Sequence, residues 1–284
     1  MLKAKVLNFS NAFISRLCLI FATFRKIGKI PLSQNGRLRK VLREMKIICI
    51  ASMKGGVGKT TIDAFLSQAL ALAGNKVLTI DMDPNNNLTD YFLRDVSIEN
   101  ISAKNIRHVL TGRAPIEEAI YSNLFNVDCI PATPKLASIN SELNNDFGAV
   151  IVFEKTLRGL PYDYVILDSP PADCFELRTS LYISDLVLCP ISYSRWSLQG
   201  FEILDDMVET NRKAGKNTKL ICVPSNVSPK KSEGIIEIGN EIPVTSTHIA
   251  RNESLENAVT LGSKIKQNSI SANQFNELAK EISL

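Results

Sequence analysis

The residues 51–61, ASMKGGVGKTT, hold the densest chemistry in the chain. Glycines at 55, 56 and 58 let the backbone turn successive N–H groups toward one anion, and Lys59 and Thr60 follow directly. Converging amides beside an ammonium and a hydroxyl suit a nucleoside triphosphate. The amides hold phosphate oxygens, Lys59 neutralises the β- and γ-phosphates, and Thr60 is placed to ligate Mg²⁺. Val57 and Thr61 are expected to belong to the same cradle. The spacing is irregular, however. The usual loop, G-x-x-x-x-G-K-[ST], has its first glycine five positions before Gly58, where this chain has Met53. A second lysine, Lys54, stands beside it and could cover its own phosphates or reach toward a partner; the sequence alone does not choose.

Two further stretches supply acids. In TIDMDPNNNLTDYF (79–92), Asp81 and Asp83 are spaced i, i+2 at the end of a strand pattern, so a regular strand points both the same way. One carboxylate near the metal and one on the attacking water would divide the work of phosphoryl transfer to water. The alternative is that they cap the turn marked by Pro84. In YDYVILDSPPA (162–172) an apolar strand ends in Asp168, the arrangement that holds Mg²⁺ through water behind a P-loop, and Pro170 and Pro171 stop the strand.

These groups need a scaffold that gathers strand ends. Near-continuous apolar runs of strand length occur at 46–52, 76–83, 127–131, 162–168, 185–191 and 219–225. Helical patterns lie at 59–73, 196–214 and 232–240. Strands apolar on both faces and alternating with helices predict an α/β fold: a mostly parallel twisted sheet between two helical layers, as in P-loop NTPases. Ligands in such folds bind at the carboxyl ends of the strands. Residues 45–284 read as a single domain.

Of the 284 residues, 45% are hydrophobic and 22% charged, ordinary for a globular chain. The net charge of +4 is unevenly spread: residues 1–44 carry +9 and the remaining 240 carry −5. Any nucleic-acid binding by the main body therefore needs a local basic patch. The segment NAFISRLCLIFATFRK (11–26) is apolar with basic flanks, but Arg16 breaks it and it is too short to span a bilayer. Residues 1–44 read as a basic extension, lying on a surface, disordered, or preceding a true start at Met45. The six cysteines (18, 49, 129, 174, 189, 222) form no C-x-x-C pair and read as reduced, buried thiols. Two separated histidines make a histidine metal site or a catalytic triad a poor expectation.

With the three motifs in order, residues 45–284 resemble the ParA/MinD group of deviant Walker A ATPases, and specifically its ParA-type partition proteins. KGGVGKTT matches the group's signature, whose defining feature is the extra lysine; KVLTIDMDP and YDYVILDSPPA resemble its second motif and Walker B. VDCIPATPKLASINSEL, VLCPISYSRWSLQGFEIL and IARNESLENAVTLGSKI follow family segments in order. The resemblance implies ATP and Mg²⁺ as ligands, with Thr60, Asp81 and Asp168 serving the metal and Lys54, Lys59 and Asp83 serving hydrolysis. It implies a homodimer that closes on ATP with Lys54 crossing to the neighbour's phosphates, and adenine read around Ser225 and Asn226. It also implies non-specific DNA binding through Arg251, Lys230, Lys231, Lys264 and Lys266, release stimulated by a centromere-binding ParB-like protein, and a cytoplasmic, nucleoid-associated life without stable membrane association.

Asn85 replaces the family's Gln, Phe65 a common Asn, and Tyr193 and Ser194 a frequent Pro-Glu. Residues 1–44 are too short for the helix-turn-helix domain of longer relatives. The alternative is a MinD-like positioning ATPase, yet SANQFNELAKEISL has balanced charges rather than a basic amphipathic face. A metal-cluster carrier on the same fold would need paired cysteines, and a metabolic ligase would leave Lys54 unexplained.

Overall fold

The computed structural model describes residues 44–143, 146–192, 195–228 and 242–283. The basic extension before residue 44, the helical pattern at 232–240, and Tyr193, Ser194, Lys230 and Lys231 lie outside them. By its internal contacts the chain divides into residues 1–43 and 44–284. The second unit contains strands β1 (Lys46–Ile50), β2 (Val77–Asp81), β3 (Asp128–Ile130), β4 (Tyr164–Asp168), β5 (Leu186–Ile191), β6 (Lys219–Val227) and β7 (Ile249–Ala250). They form one sheet in the order β3-β2-β4-β1-β5-β6-β7, and every pairing is parallel.

The period-2 alternation of the strands divides the core in two. Ile47 and Cys49 of β1, Leu78 and Ile80 of β2, and Val165 and Leu167 of β4 face one helical layer. That layer holds α4 (Ile106–Leu110), α5 (Ile139–Leu143), α6 (Phe147–Arg158), α7 (Phe175–Ile183) and α8 (Arg195–Lys213). Ile48 and Ile50 of β1 and Tyr164 and Ile166 of β4 face the other. There lie α1 (Lys59–Leu72), α2 (Asn87–Leu93), α9 (Glu253–Leu261) and α10 (Ile270–Ile282); a short α3 (Ile98–Ala103) follows α2. Both faces are covered, as a parallel sheet requires.

The helix starts bear local signals. Asp146, Asn252 and Ser269 accept from the backbone amides of Ala149, Ser254 and Ala272, each such cap contributing on the order of 1 kcal/mol. Phe65, the residue that departs from the family's Asn, fills the second core. Its ring lies 5.9 Å from Tyr91, edge to face, and 5.4 Å from Phe275, tying α1 to α2 and α10. Among the described residues no helix is long and apolar enough to cross a membrane.

Candidate functional site

The glycine loop joins the end of β1 to the start of α1. Gly56 (φ 71°) and Gly58 (φ 92°) adopt left-handed backbone, where a side chain is strained. A Cβ on Gly58 would also meet Ser225 Oγ at 3.1 Å. Gly58 is the N-cap of α1 and makes no side-chain cap, so the helix's first amides stay available for an anion. Met53 is partly buried against the core, and a Cβ on Gly200 of α8 would touch its Cβ at 3.5 Å. The position of the missing glycine is therefore a packing position. The residues around the loop line an open cleft of about 380 Å³: Gly55, Gly56, Gly58, Lys59, Thr60 and Thr61, facing Asp83, Ser225, Asn226 and Arg251. Asn226 takes left-handed backbone (φ 56°) at the far side. Val57 is buried beneath the loop, and Lys54, half-buried with its amide donating to Ser52 Oγ, is not among the lining residues.

Beneath the loop the sheet register does the gathering. Asp81 and Asp168 are direct partners across β2 and β4, and Ile50 of β1 pairs with Asp168 on its other side. Thr60 Oγ1 donates to Asp168 Oδ2 at 2.7 Å, while Asp168 Oδ1 is buried without a partner. A hydroxyl beside an under-satisfied carboxylate is a donor set that fits Mg²⁺. Burial, and then the charge of Asp81, push the Asp168 carboxyl up to about 8, against the Thr60 bond and Lys59. Burial also raises Asp81 to about 7, against three bonds from Thr89 and the Asp83 amide. Such a buried acidic pair is relieved by a bound cation.

Asp81 and Asp83 do not both face the cleft, because β2 ends at Asp81 and the chain turns. Asp81 is fully buried: Oδ1 accepts from the Asp83 amide at 3.0 Å, and Oδ2 from the amide (2.9 Å) and hydroxyl (2.8 Å) of Thr89 on α2. Asp83 lines the cleft and also shapes the turn, its Oδ1 accepting from the Asn85 amide at 2.9 Å. The cap and the cleft readings thus describe the same residue.

Among the described basic positions, Arg251 and Lys264 line different grooves. Arg251 is exposed at the rim of the phosphate cleft. Lys264 stands over the Phe125 ring at 5.5 Å in a separate groove with Arg94, and Lys266 is exposed in the loop after α9. The described cysteines are free. Register brings Cys189 and Cys222 side by side across β5 and β6, a pairing that their separation in sequence concealed. Contact with Cys189 and burial raise the Cys222 thiol far above its ordinary value, so it is a poor ligand. Sequence reading also missed Asp63, a fully buried acid on α1 that belongs to no motif.

A strand, a glycine loop opening a helix, and an aspartate ending the neighbouring strand define a P-loop ATPase. A family model described as an AAA domain matches residues 45–222. The sporulation initiation inhibitor protein Soj of Bacillus subtilis is 31% identical over 254 residues, spanning 84% of this chain and 98% of Soj. The chromosome-partitioning ATPase Soj of Thermus thermophilus is 29% identical over 250 residues, spanning 84% of this chain and 96% of that one. Among solved structures, apo McdA of Cyanothece matches with a TM-score of 0.71 at 26% identity, covering 84% of this chain and 98% of McdA. This chain belongs to the ParA/Soj family of ATPases.

Proposed function

We propose that this chain is an ATP- and Mg²⁺-dependent DNA-partition protein whose two copies close face to face on nucleotide. The observation that carries it is the hydrogen bond from Thr60, at the floor of the cleft, to the buried Asp168 directly under a glycine loop. In this reading Lys59 and the loop amides hold the β- and γ-phosphates, and Thr60 and Asp168 hold the metal. Held by these residues, Mg²⁺ would supply positive charge against the phosphates. Asp81 acts one layer out, fixing Asp83 through its amide; Asp83 orients the attacking water. Asn226 and Ser225 bound the nucleoside end of the cleft. Lys54 serves the second subunit's phosphates, which is supported by its position outside the lining of its own cleft. Residues 45–284 act as one ATPase domain, with the segment before them a basic extension.

Arg251, Lys264 and Lys266, with Lys230 and Lys231, supply the cations for DNA without sequence preference. A ParB-like partner stimulates hydrolysis and release, and the protein works in the cytoplasm on the nucleoid. The partition-ATPase name of the Thermus relative supports this reading.

The test is fluorescence anisotropy on a labelled duplex of arbitrary sequence with ATP, with ADP and without nucleotide, beside a steady-state ATPase assay. Binding should tighten with ATP and weaken as salt rises. DNA binding indifferent to nucleotide would sink the reading. In the same assay Asp83→Ala should keep ATP and DNA bound; normal hydrolysis by that variant would reduce Asp83 to a turn residue.

A further inference from the structure

Asp63 lies one turn past Thr60 on α1 and has no part in the phosphate chemistry above. It is fully buried. Its Oδ1 is 2.5 Å from Thr79 Oγ1, its Oδ2 has no partner, and Thr79 Oγ1 also lies 3.4 Å from the Ile166 carbonyl oxygen. Thr79 pairs with Ile166 across β2 and β4, and two residues on Asp81 pairs with Asp168. Residues two apart on a strand share a face. The Asp63–Thr79–Ile166 contacts therefore form the layer directly beneath the acidic pair, joining the helix that carries Thr60 to the strands that carry Asp81 and Asp168.

The proton count decides the state of this layer. A threonine hydroxyl has one proton to give. Were Asp63 an anion, Thr79 would serve Oδ1 and leave Oδ2 a bare charged oxygen in the interior, the costliest kind of orphan. As a neutral acid, Asp63 donates to Thr79 Oγ1 and Thr79 donates toward Ile166, leaving only an uncharged carbonyl oxygen unpaired. The surroundings favour the neutral form. Burial, then Asp168 on β4 and Asp81 on β2, push the Asp63 carboxyl well above the ordinary carboxylate range. The other titratable neighbours that feel it are the Cys49 and Cys129 thiols on β1 and β3, both held up by burial. Lys59, one turn earlier on α1, bears on Asp168 and Cys49.

We propose that Asp63 is a neutral carboxylic acid that positions the metal-binding edge, its proton spent on Thr79 and its helix thereby fixed to β2 and β4 beneath Thr60, Asp81 and Asp168. Neutrality also leaves two charged carboxylates, rather than three, in the buried cluster of Asp63, Asp81 and Asp168. The inference rests on the assignment of Mg²⁺ to Thr60 and Asp168.

The test compares wild type, Asp63→Asn and Asp63→Ala in the full chain. An infrared difference spectrum of the nucleotide-free protein at neutral pH, wild type minus Asp63→Asn, should contain a protonated-carboxyl carbonyl band. Asp63→Ala should raise the Mg²⁺ concentration for half-maximal nucleotide binding about tenfold, and Asp63→Asn, whose amide can still donate to Thr79, should restore it to within about twofold. Should Asp63→Ala not fold, Thr79→Val removes the same bond with its shape kept. Absence of the acid band, with Asp63→Asn as damaging as the truncation, would mean that the charge is needed and overturn the proposal. An unchanged Mg²⁺ requirement in the truncated variant would reduce Asp63 to a packing residue and overturn it equally. A wild type that fails to bind Mg²⁺–nucleotide would refute the site assignment instead, while the infrared band would still report on Asp63.

Discussion

The two ends of the cleft are built differently. At the β1–β2–β4 end, Thr60, Asp81, Asp83 and Asp168 are held by strand register and a chain of side-chain bonds, and the two strand-end acids are buried. At the β6–β7 end, Asn226 and Arg251 are exposed on the last residues of strands and in the turn before α9. Chemistry that depends on sub-ångström placement needs the first kind of construction. Contacts that must form and release with a long, uniform polyanion can use the second. On the proposed function, residues at the β1–β2–β4 end should respond steeply to single substitutions and those at the β6–β7 end shallowly.

The largest break should come from the scaffold of the rigid end. Phe65→Ala removes the ring shared with Tyr91 and Phe275, and should cost about 3–5 kcal/mol by chemical denaturation. Next, Lys59→Ala should lower ATP hydrolysis at least about 100-fold with the fold intact by circular dichroism.

A third test uses pH. Asp81 and Asp168 are pushed up to about 7 and about 8 in the folded chain, against an unfolded value of about 4. Between those values the native state binds more protons than the unfolded one. The nucleotide-free protein should therefore be most stable at the acid end of this window and lose stability from about pH 4 to about pH 8. Denaturation midpoints at pH 5 and pH 8 should show this fall, and Asp168→Asn should shrink it. The smallest effect belongs to the open end: Arg251→Ala should weaken DNA binding mildly and reduce the log–log salt slope by about 1.

Much of the rigid end was legible in sequence because its chemistry is local. The glycines, Lys59 and Thr60 lie within six residues, Asp168 ends a recognisable strand, and near-continuous apolar runs announce the parallel sheet. What stayed hidden depends on tertiary neighbours. Asp63 sits in a helix between apolar residues, and nothing in its spacing says that Thr79 will face it. Asp81 turned inward because α2 begins close enough for Thr89 to bond it, which the i, i+2 rule for a regular strand does not foresee. Phe65 read as a loss of the family's Asn, and only its packing partners show what it supplies. Nothing in the sequence around Arg251 says that it will stand at the rim of the phosphate cleft.

On the proposed function, Lys54 belongs to a site made by two subunits. The most direct measurement of this is mass by size-exclusion chromatography with light scattering, for wild type and Lys54→Ala, each with Mg²⁺ and a slowly hydrolysed ATP analogue. Wild type should move from monomer to dimer on adding nucleotide, while Lys54→Ala should bind nucleotide and stay monomeric. A Lys54→Ala protein that dimerises on nucleotide as wild type does would contradict the two-subunit site.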